Sequence, residues 1–345
     1  MKKLTLALSA LAAVFGVSSA NADVSVSGSG SVGYIAPASS GADGEVAVGQ
    51  YISFGLSTTT ASGMTISGGM GLTQDESANN GMGVSGGRTL TFATGGASLK
   101  IGDVEAGDTP GSVGGLIGGE LDHHSDLDSN VASGFNDDDG LGFSFSTAIG
   151  ASSLNITHVG NTGADSYGAF DADGATSVTS ASVTMPMGAY SITAGVASAD
   201  GTTESASGIS VSGAIGGGTL TVGYSLQTLD ESLADTSETY APATYNAAGV
   251  AATVTTTVAS DGDLAVDGDT TVVGATYAMS LDADTSVSIG YQSVKDADSE
   301  SHTQTDVVVS RALGGGASVF LEMRNLSGDA AQDGTAIAVG SRVSF

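Results

Sequence analysis

The side chains with chemistry to offer in this chain are carboxylates: 37 Asp and Glu stand against eight Lys and Arg, a formal net charge of −29. Thirty of those acids fall in eight polar segments, 36–45, 75–81, 105–139, 161–175, 200–206, 230–269, 297–302 and 327–333. The third segment is the most heavily loaded, with Glu105, Asp108, Glu120, Asp122, Asp126, Asp128, Asp137, Asp138 and Asp139. Crowded carboxylates enrich cations around them and can share a divalent ion, which relieves their repulsion. Calcium bridging of Asp122, Asp126 and Asp128 is therefore one reading of the segment, and plain solvation by water is the other; no cofactor is required. His123-His124 lies among the same acids and adds imidazole to the donor set. Asn136-Asp137-Asp138-Asp139-Gly140 and the Asp-Gly-Asp pairs at 261–263 and 267–269 place oxygen ligands beside glycine turns, but neither has the full spacing of a calcium loop.

Other chemistries are excluded. There is no cysteine, so a disulfide framework, a thiol nucleophile and thiolate metal sites are all absent. His158 and His302 stand alone, without a Ser and an acid at triad positions, so the chain does not read as an enzyme. The acidic balance is the opposite of a nucleic-acid footprint.

The elements that would hold these groups are strands. Leu220, Val222, Tyr224 and Leu226 alternate with Thr221, Gly223 and Ser225; Val287, Ile289 and Tyr291 alternate with Ser286, Ser288 and Gln292. Period-two alternation of this kind marks half-buried strands. It recurs near 24–35, 46–60, 63–74, 82–94, 96–104, 140–149, 151–160 and 176–187. In the second half it recurs near 189–199, 207–216, 218–229, 270–281, 283–296, 303–313, 316–326 and 334–345, giving sixteen strands. Between them, tight glycine-rich turns such as Gly95-Gly96, Gly150-Ala151 and Gly314-Gly315-Gly316 alternate strictly with the long acidic segments. An antiparallel barrel with short turns at one rim and long loops at the other has this layout. The fold class expected is all-β, a transmembrane antiparallel barrel.

One face of most strands is apolar and the other small and polar, which suits lipid outside and water within. Backbone groups find no partner in lipid, so the sheet has to close. Tyr34, Tyr190, Tyr224, Tyr277 and Tyr291 fall on apolar faces as interfacial girdles. By parity Lys100, Arg324 and Arg342 face the lumen, with Glu322 beside Arg324. Arg88 and Arg311 share parity with apolar neighbours, which suggests a bulge for one and a rim position for the other. The segment Val113-Gly114-Gly115-Leu116-Ile117-Gly118-Gly119 gives 105–139 an apolar patch of its own. A long loop of that composition is expected to pack on the inner wall.

Met1-Lys2-Lys3, the apolar run from Leu4 to Val17 and Ala20-Asn21-Ala22 form a secretory signal. Residues 1–22 are thus expected to be removed, leaving 23–345 as a single barrel. The last strand alternates Ile337, Val339 and Val343 and reaches Phe345, an aromatic terminus that reads as an assembly signal.

At this point a resemblance is visible. The chain resembles the general porins of alphaproteobacteria, the Rhodobacter type, in its sixteen strands, its long third loop and its terminal Phe. Lys100-Ile101-Gly102-Asp103, Ala312-Leu313-Gly314-Gly315-Gly316-Ala317-Ser318-Val319 and the strand to Phe345 carry it most specifically. The resemblance implies a homotrimer in the outer-membrane lipid of a Gram-negative bacterium, passing small ions and polar solutes by passive diffusion. It implies an inward-folded third loop whose acids, Glu105, Asp108, Glu120, Asp122, Asp126 and Asp128, line the constriction. Family members carry a denser basic wall opposite; here Lys100, Arg324, Arg342 and Arg88 are all there is, which pushes the expectation towards cation preference. The alternative is an exported adhesin or structural β-protein, such as a solenoid, which would show a fixed repeat period.

Overall fold

In the computed structural model, residues 23–36, 44–74, 83–85, 89–106, 110, 139–160, 177–200, 205–229, 239–240, 243–245, 251–253, 256–257, 268–295, 301–328 and 334–345 are described. Their strands, in chain order, are β1 (Asp23–Ala36), β2 (Glu45–Thr59), β3 (Thr65–Gln74), β4 (Gly83–Ser85 with Leu90–Thr94), β5 (Ala97–Glu105), β6 (Asp139–Ile149), β7 (Ser152–Gly160) and β8 (Ser177–Met187). There follow β9 (Tyr190–Asp200), β10 (Ser205–Ile215), β11 (Gly218–Leu229), β12 (Gly268–Ser280), β13 (Thr285–Lys295), β14 (Ser301–Gly314), β15 (Ala317–Ser327) and β16 (Gly334–Ser344). Both pieces of β4 pair with β3, with Thr73 opposite Gly83 and Gly68 opposite Leu90, so they occupy one place in the wall.

Every neighbour in the sheet is antiparallel and consecutive in sequence, and β1 also pairs with β16. That last pairing closes the sheet into a 16-strand barrel with no free edge. The closure rules out the solenoid, whose sheets stack without returning to the first strand. All sixteen expected strands are present within a few residues of their expected bounds. Two features of the strand pattern were not anticipated. The fourth strand is interrupted, and its two pieces are offset in register against β3. The 230–269 segment contains two short antiparallel pairs, Thr239–Tyr240 with Thr256–Thr257 and Ala243–Tyr245 with Ala251–Thr253.

The closing seam is tied by backbone bonds in both directions between Gly28 and Phe345, at 3.1 and 3.0 Å. The Phe345 ring lies over Gly28, where a Cβ would sit 2.6 Å from its Cζ. Only glycine leaves room there for the aromatic to cover the strand.

The outer face is apolar at regular alternate positions. On β15 Val319, Leu321 and Met323 are exposed, on β13 Ile289 and Tyr291, and on β11 Val222 and Tyr224. Such side chains face lipid, and an 11-residue strand such as β15 meets the ~9–11 residues a tilted transmembrane strand needs. Tyr34, Tyr190, Tyr224 and Tyr291 are exposed on this face, and the Tyr277 hydroxyl donates to the Ile215 carbonyl at 3.1 Å beside a short turn.

Candidate functional site: the inner wall

The opposite register is the lumen face, and Pro110 identifies it. This residue follows β5, yet it lies against Gly195 of β9 and Gly208 of β10, four and five strands away. A chain leaving β5 reaches that part of the wall across the interior. A Cβ at Gly208 would collide with the Pro110 carbonyl, and one at Gly195 would sit 2.6 Å from its Cδ. Around this contact Val104, Ala106, Val159, Val178, Ala197, Ala199 and Ala206 form a buried apolar cluster on the same face. The root of the third segment, at Ala106 and Pro110, is thus packed on the inner wall; the apolar stretch 113–119, on which the packing expectation rested, lies outside the described residues.

The inner face is otherwise polar, and its hydroxyls bond across strands. Ser98 and Ser146 meet at 2.8 Å, and Thr157 donates to Ser144 at 2.9 Å. The degree of burial changes along the strands. Next to the long-loop ends, Ser225, Gln227, Thr270, Gln292, Gln304, Asp306, Glu322 and Arg324 are all buried. Next to the short turns, inner-face groups such as Lys100 and Ala214 are exposed.

The charged centre of the buried half lies on β14 and β15, where Asp306 stands opposite Arg324 in the register. Arg324 Nε donates to Asp306 Oδ1 at 2.9 Å, and its Nη2 lies 3.3 Å from Glu322 Oε1. Gln304 Nε2 donates to the second Asp306 oxygen at 2.7 Å. Arg324 keeps 5% of its side-chain surface and Asp306 3%. Removing either partner of so enclosed a pair leaves an uncompensated charge, which typically costs about 3–5 kcal/mol. Among the described residues, two carboxylates face one guanidinium in this cluster.

The expected basic wall is therefore only partly realised. Lys100 is on the inner register and exposed, and Arg342 is on the inner register and half-buried. Arg324 is on the inner register too, but it is held between Asp306 and Glu322 rather than presented to the lumen. Arg311 is at the rim: it donates to Thr285 Oγ1 at 2.8 Å and lies 3.5 Å from Asp282. Asp282 also accepts from the backbone N–H groups of Asp284 and Thr285, both at 2.8 Å. The Asp284 N–H holds its carboxyl below the usual range, helped by Thr285 and Arg311. Asp108, Glu120, Asp122, Asp126, Asp128 and Arg88 lie outside the described residues, as does the Glu105 side chain. Among the described residues, no group of three or more His, Asp and Glu is placed to hold a metal ion.

Sequence reasoning missed Asp306. Its signal was present: it alternates with Val307 and Val309 on the same strand, and its parity matches Gln304. What the sequence does not show is the register that sets it against Arg324.

His158 is on the outer face. Its ring is 5.7 Å from Phe143, and its Nδ1 is 2.8 Å from Thr179 Oγ1. It takes no part in the inner-wall cluster.

The chain matches a family model described as Gram-negative porin over residues 7–331. No curated protein matches it. Among solved structures it is similar to a porin refined at 1.8 Å resolution, with a TM-score of 0.61 and 18% identity over 94% of this chain and 100% of that one. A mutant of Rh. blastica porin gives a TM-score of 0.61 at 14% identity, and a Rhodopseudomonas blastica porin triple mutant gives 0.59 at 15%. Each covers 94% of this chain and 100% of its own. At these identities the solved structures establish the fold alone.

Proposed function

The chain belongs to the Gram-negative porin family, a general diffusion channel of the outer membrane, and from that premise we propose that its pore favours cations. The family and the fold are those of channels rather than enzymes. No step needs an energy source: the inner wall is polar, the outer wall apolar, and solutes cross down their gradients.

The observation that supports cation preference is the β14–β15 cluster, where Asp306 and Glu322 outnumber Arg324 on the inner wall. Fixed negative charge on a wall backed by low-dielectric lipid raises local cation concentration in the aqueous lumen and disfavours anions. The acids of 105–139 add to it in the same reading, with Glu105, Asp108, Glu120, Asp122, Asp126 and Asp128 as the constriction set. Lys100, Arg342 and Arg88 supply a thin opposing charge.

The working unit in this reading is a homotrimer in outer-membrane lipid, exported by the signal at 1–22 and assembled through the strand to Phe345. Proteoliposome swelling tests passive diffusion directly. Neutral solutes of increasing size should enter at falling rates without any nucleotide, and rates independent of size would argue against a sieve. Replacing Asp122, Asp126 and Asp128 together by Asn should move the reversal potential in a KCl gradient away from the potassium side. An unmoved potential would remove those three residues from the selectivity set.

A further inference from the structure

The inner wall of β12 to β15 is covered next to the long-loop ends. Val272, Val294 and Leu326 form a buried apolar cluster there, with Thr270, Gln292 and Gln304 buried around it. The register puts all of them on the lumen face. Gly208 stands opposite Ser225, Ser225 opposite Val272, Val272 opposite Val294, Gln292 opposite Gln304, and Gln304 opposite Leu326. Thr270 and Val294 are 0% exposed. Pleating alone does not do this, because the same strands leave lumen-facing Ala278, Ser280, Ser286 and Ala312 exposed nearer the short turns. Chain must therefore lie over the patch. The root of the third segment belongs to a separate cluster, which runs from β5 to β10.

The patch is uncharged. Its edge, at Gln227 and Thr270, is two residues from Leu229 and Gly268, which pair with each other where 230–267 leaves and rejoins the wall. The 230–269 segment is the longest of the polar segments, and its charge is confined to its legs. Asp230, Glu231, Asp235 and Glu238 stand on one side, Asp261, Asp263 and Asp267 on the other. From Thr239 to Ser260 no residue is charged. The two short antiparallel pairs fall inside that stretch and share one register, from Thr239 opposite Thr257 to Tyr245 opposite Ala251. They are two parts of one hairpin, with Pro242, which has no N–H for a ladder, standing between them in sequence. A two-stranded hairpin is marginal in water and needs a surface to pack on. The third segment is the poorer cover. It leaves β5 and rejoins β6, six strands from β12, and carries nine acids whose burial against a neutral patch would be costly.

We propose that the uncharged hairpin 239–257 is folded into the lumen and packs on the inner wall of β12 to β15, so that two inward elements, not one, bound the open path. Its acidic legs stay at the long-loop rim, in water. The packing stands on the wall and the register; its consequence for permeation rests on the diffusion-channel reading.

The test is thiol labelling of the mature protein, which has no cysteine of its own. Three single variants are made: Gln292→Cys in the patch, Ala197→Cys under the third-segment root, and Lys100→Cys at an exposed lumen site. A small charged thiol reagent should label Lys100→Cys fast and the other two slowly. Replacing 239–257 by a short Gly-Ser linker should raise the Gln292→Cys rate roughly tenfold or more and leave the Ala197→Cys rate unchanged. Fast labelling of Gln292→Cys in the full chain overturns the proposal. So does a rate that stays slow in a heat-modifiable barrel lacking the hairpin, which would make the third segment the cover. Val254→Asp with Ala252→Asp puts charge into the arm without shortening the chain and should expose Gln292→Cys likewise, which guards against a folding defect in the deletion. Single-channel conductance should rise when the hairpin is removed, and an unchanged value overturns the bounded path. The labelling rates need no conductance, so a failure of the channel reading would show separately, as a full chain that does not conduct.

Discussion

Arg324 shows how much a neighbour decides. Parity places it on the inner wall beside Glu322, where it reads as a pore cation. The register then adds Asp306, and the guanidinium becomes the centre of a buried cluster with Nε–Oδ1 at 2.9 Å. Arg324→Gln is expected to destabilise the barrel by about 3–5 kcal/mol, because two enclosed carboxylates lose their counter-charge. Lys100→Gln, at an exposed inner site, should stay within about 0.5 kcal/mol. Urea unfolding followed by tryptophan-free tyrosine fluorescence or gel mobility compares the two, and equal shifts would contradict the cluster's structural role. Asp282 gives a second residue-level expectation. Its carboxyl is held below the usual range chiefly by the Asp284 N–H. A carboxyl with a depressed folded-state pKa contributes stability above its unfolded value, near pH 4, and loses it as pH falls through the lower folded value. The gap in thermal midpoint between wild type and Asp282→Ala should therefore be present at pH 7 and shrink below about pH 4. A gap that grows on acidification would reverse the sign.

At the scale of elements, glycine marks the places where two segments come closest. Gly208 admits the Pro110 carbonyl, so Gly208→Val should push the root of the third segment off the β9–β10 wall. A changed single-channel conductance with the barrel still heat-modifiable is the expected result; unchanged conductance would mean that Pro110 does not position the constriction. Gly28→Val should displace the Phe345 ring and weaken the β1–β16 seam, read as a lower temperature for loss of the compact gel form. The strands themselves were legible because a wall with lipid on one side and water on the other imposes strict alternation, and glycine turns punctuate it. The break in β4 was not, since Gly86, Gly87 and Arg88 give no alternation to read. The two short pairs within 230–269 were missed for a similar reason: stretches of two or three residues are too short to establish a period. At the site, parity correctly gave the inner positions of Lys100, Glu322, Arg324 and Arg342. It had no means of pairing Arg324 with Asp306, because that contact depends on which residue of β14 lies opposite on β15.

For the whole molecule, the net charge of −29 and the closed barrel act together. Closure removes the edges that lipid would not tolerate and leaves one aqueous path. Along that path the described inner wall is closed in towards the long-loop ends and open towards the short turns. The Asp306–Arg324–Glu322 cluster lies in the more closed-in half. The most direct test of cation-preferring diffusion is the reversal potential of the purified mature protein in a planar bilayer under a KCl gradient. The expected result is stepwise conductance in groups of three, with a reversal potential displaced towards potassium. A potential displaced towards chloride would contradict the account of the inner wall.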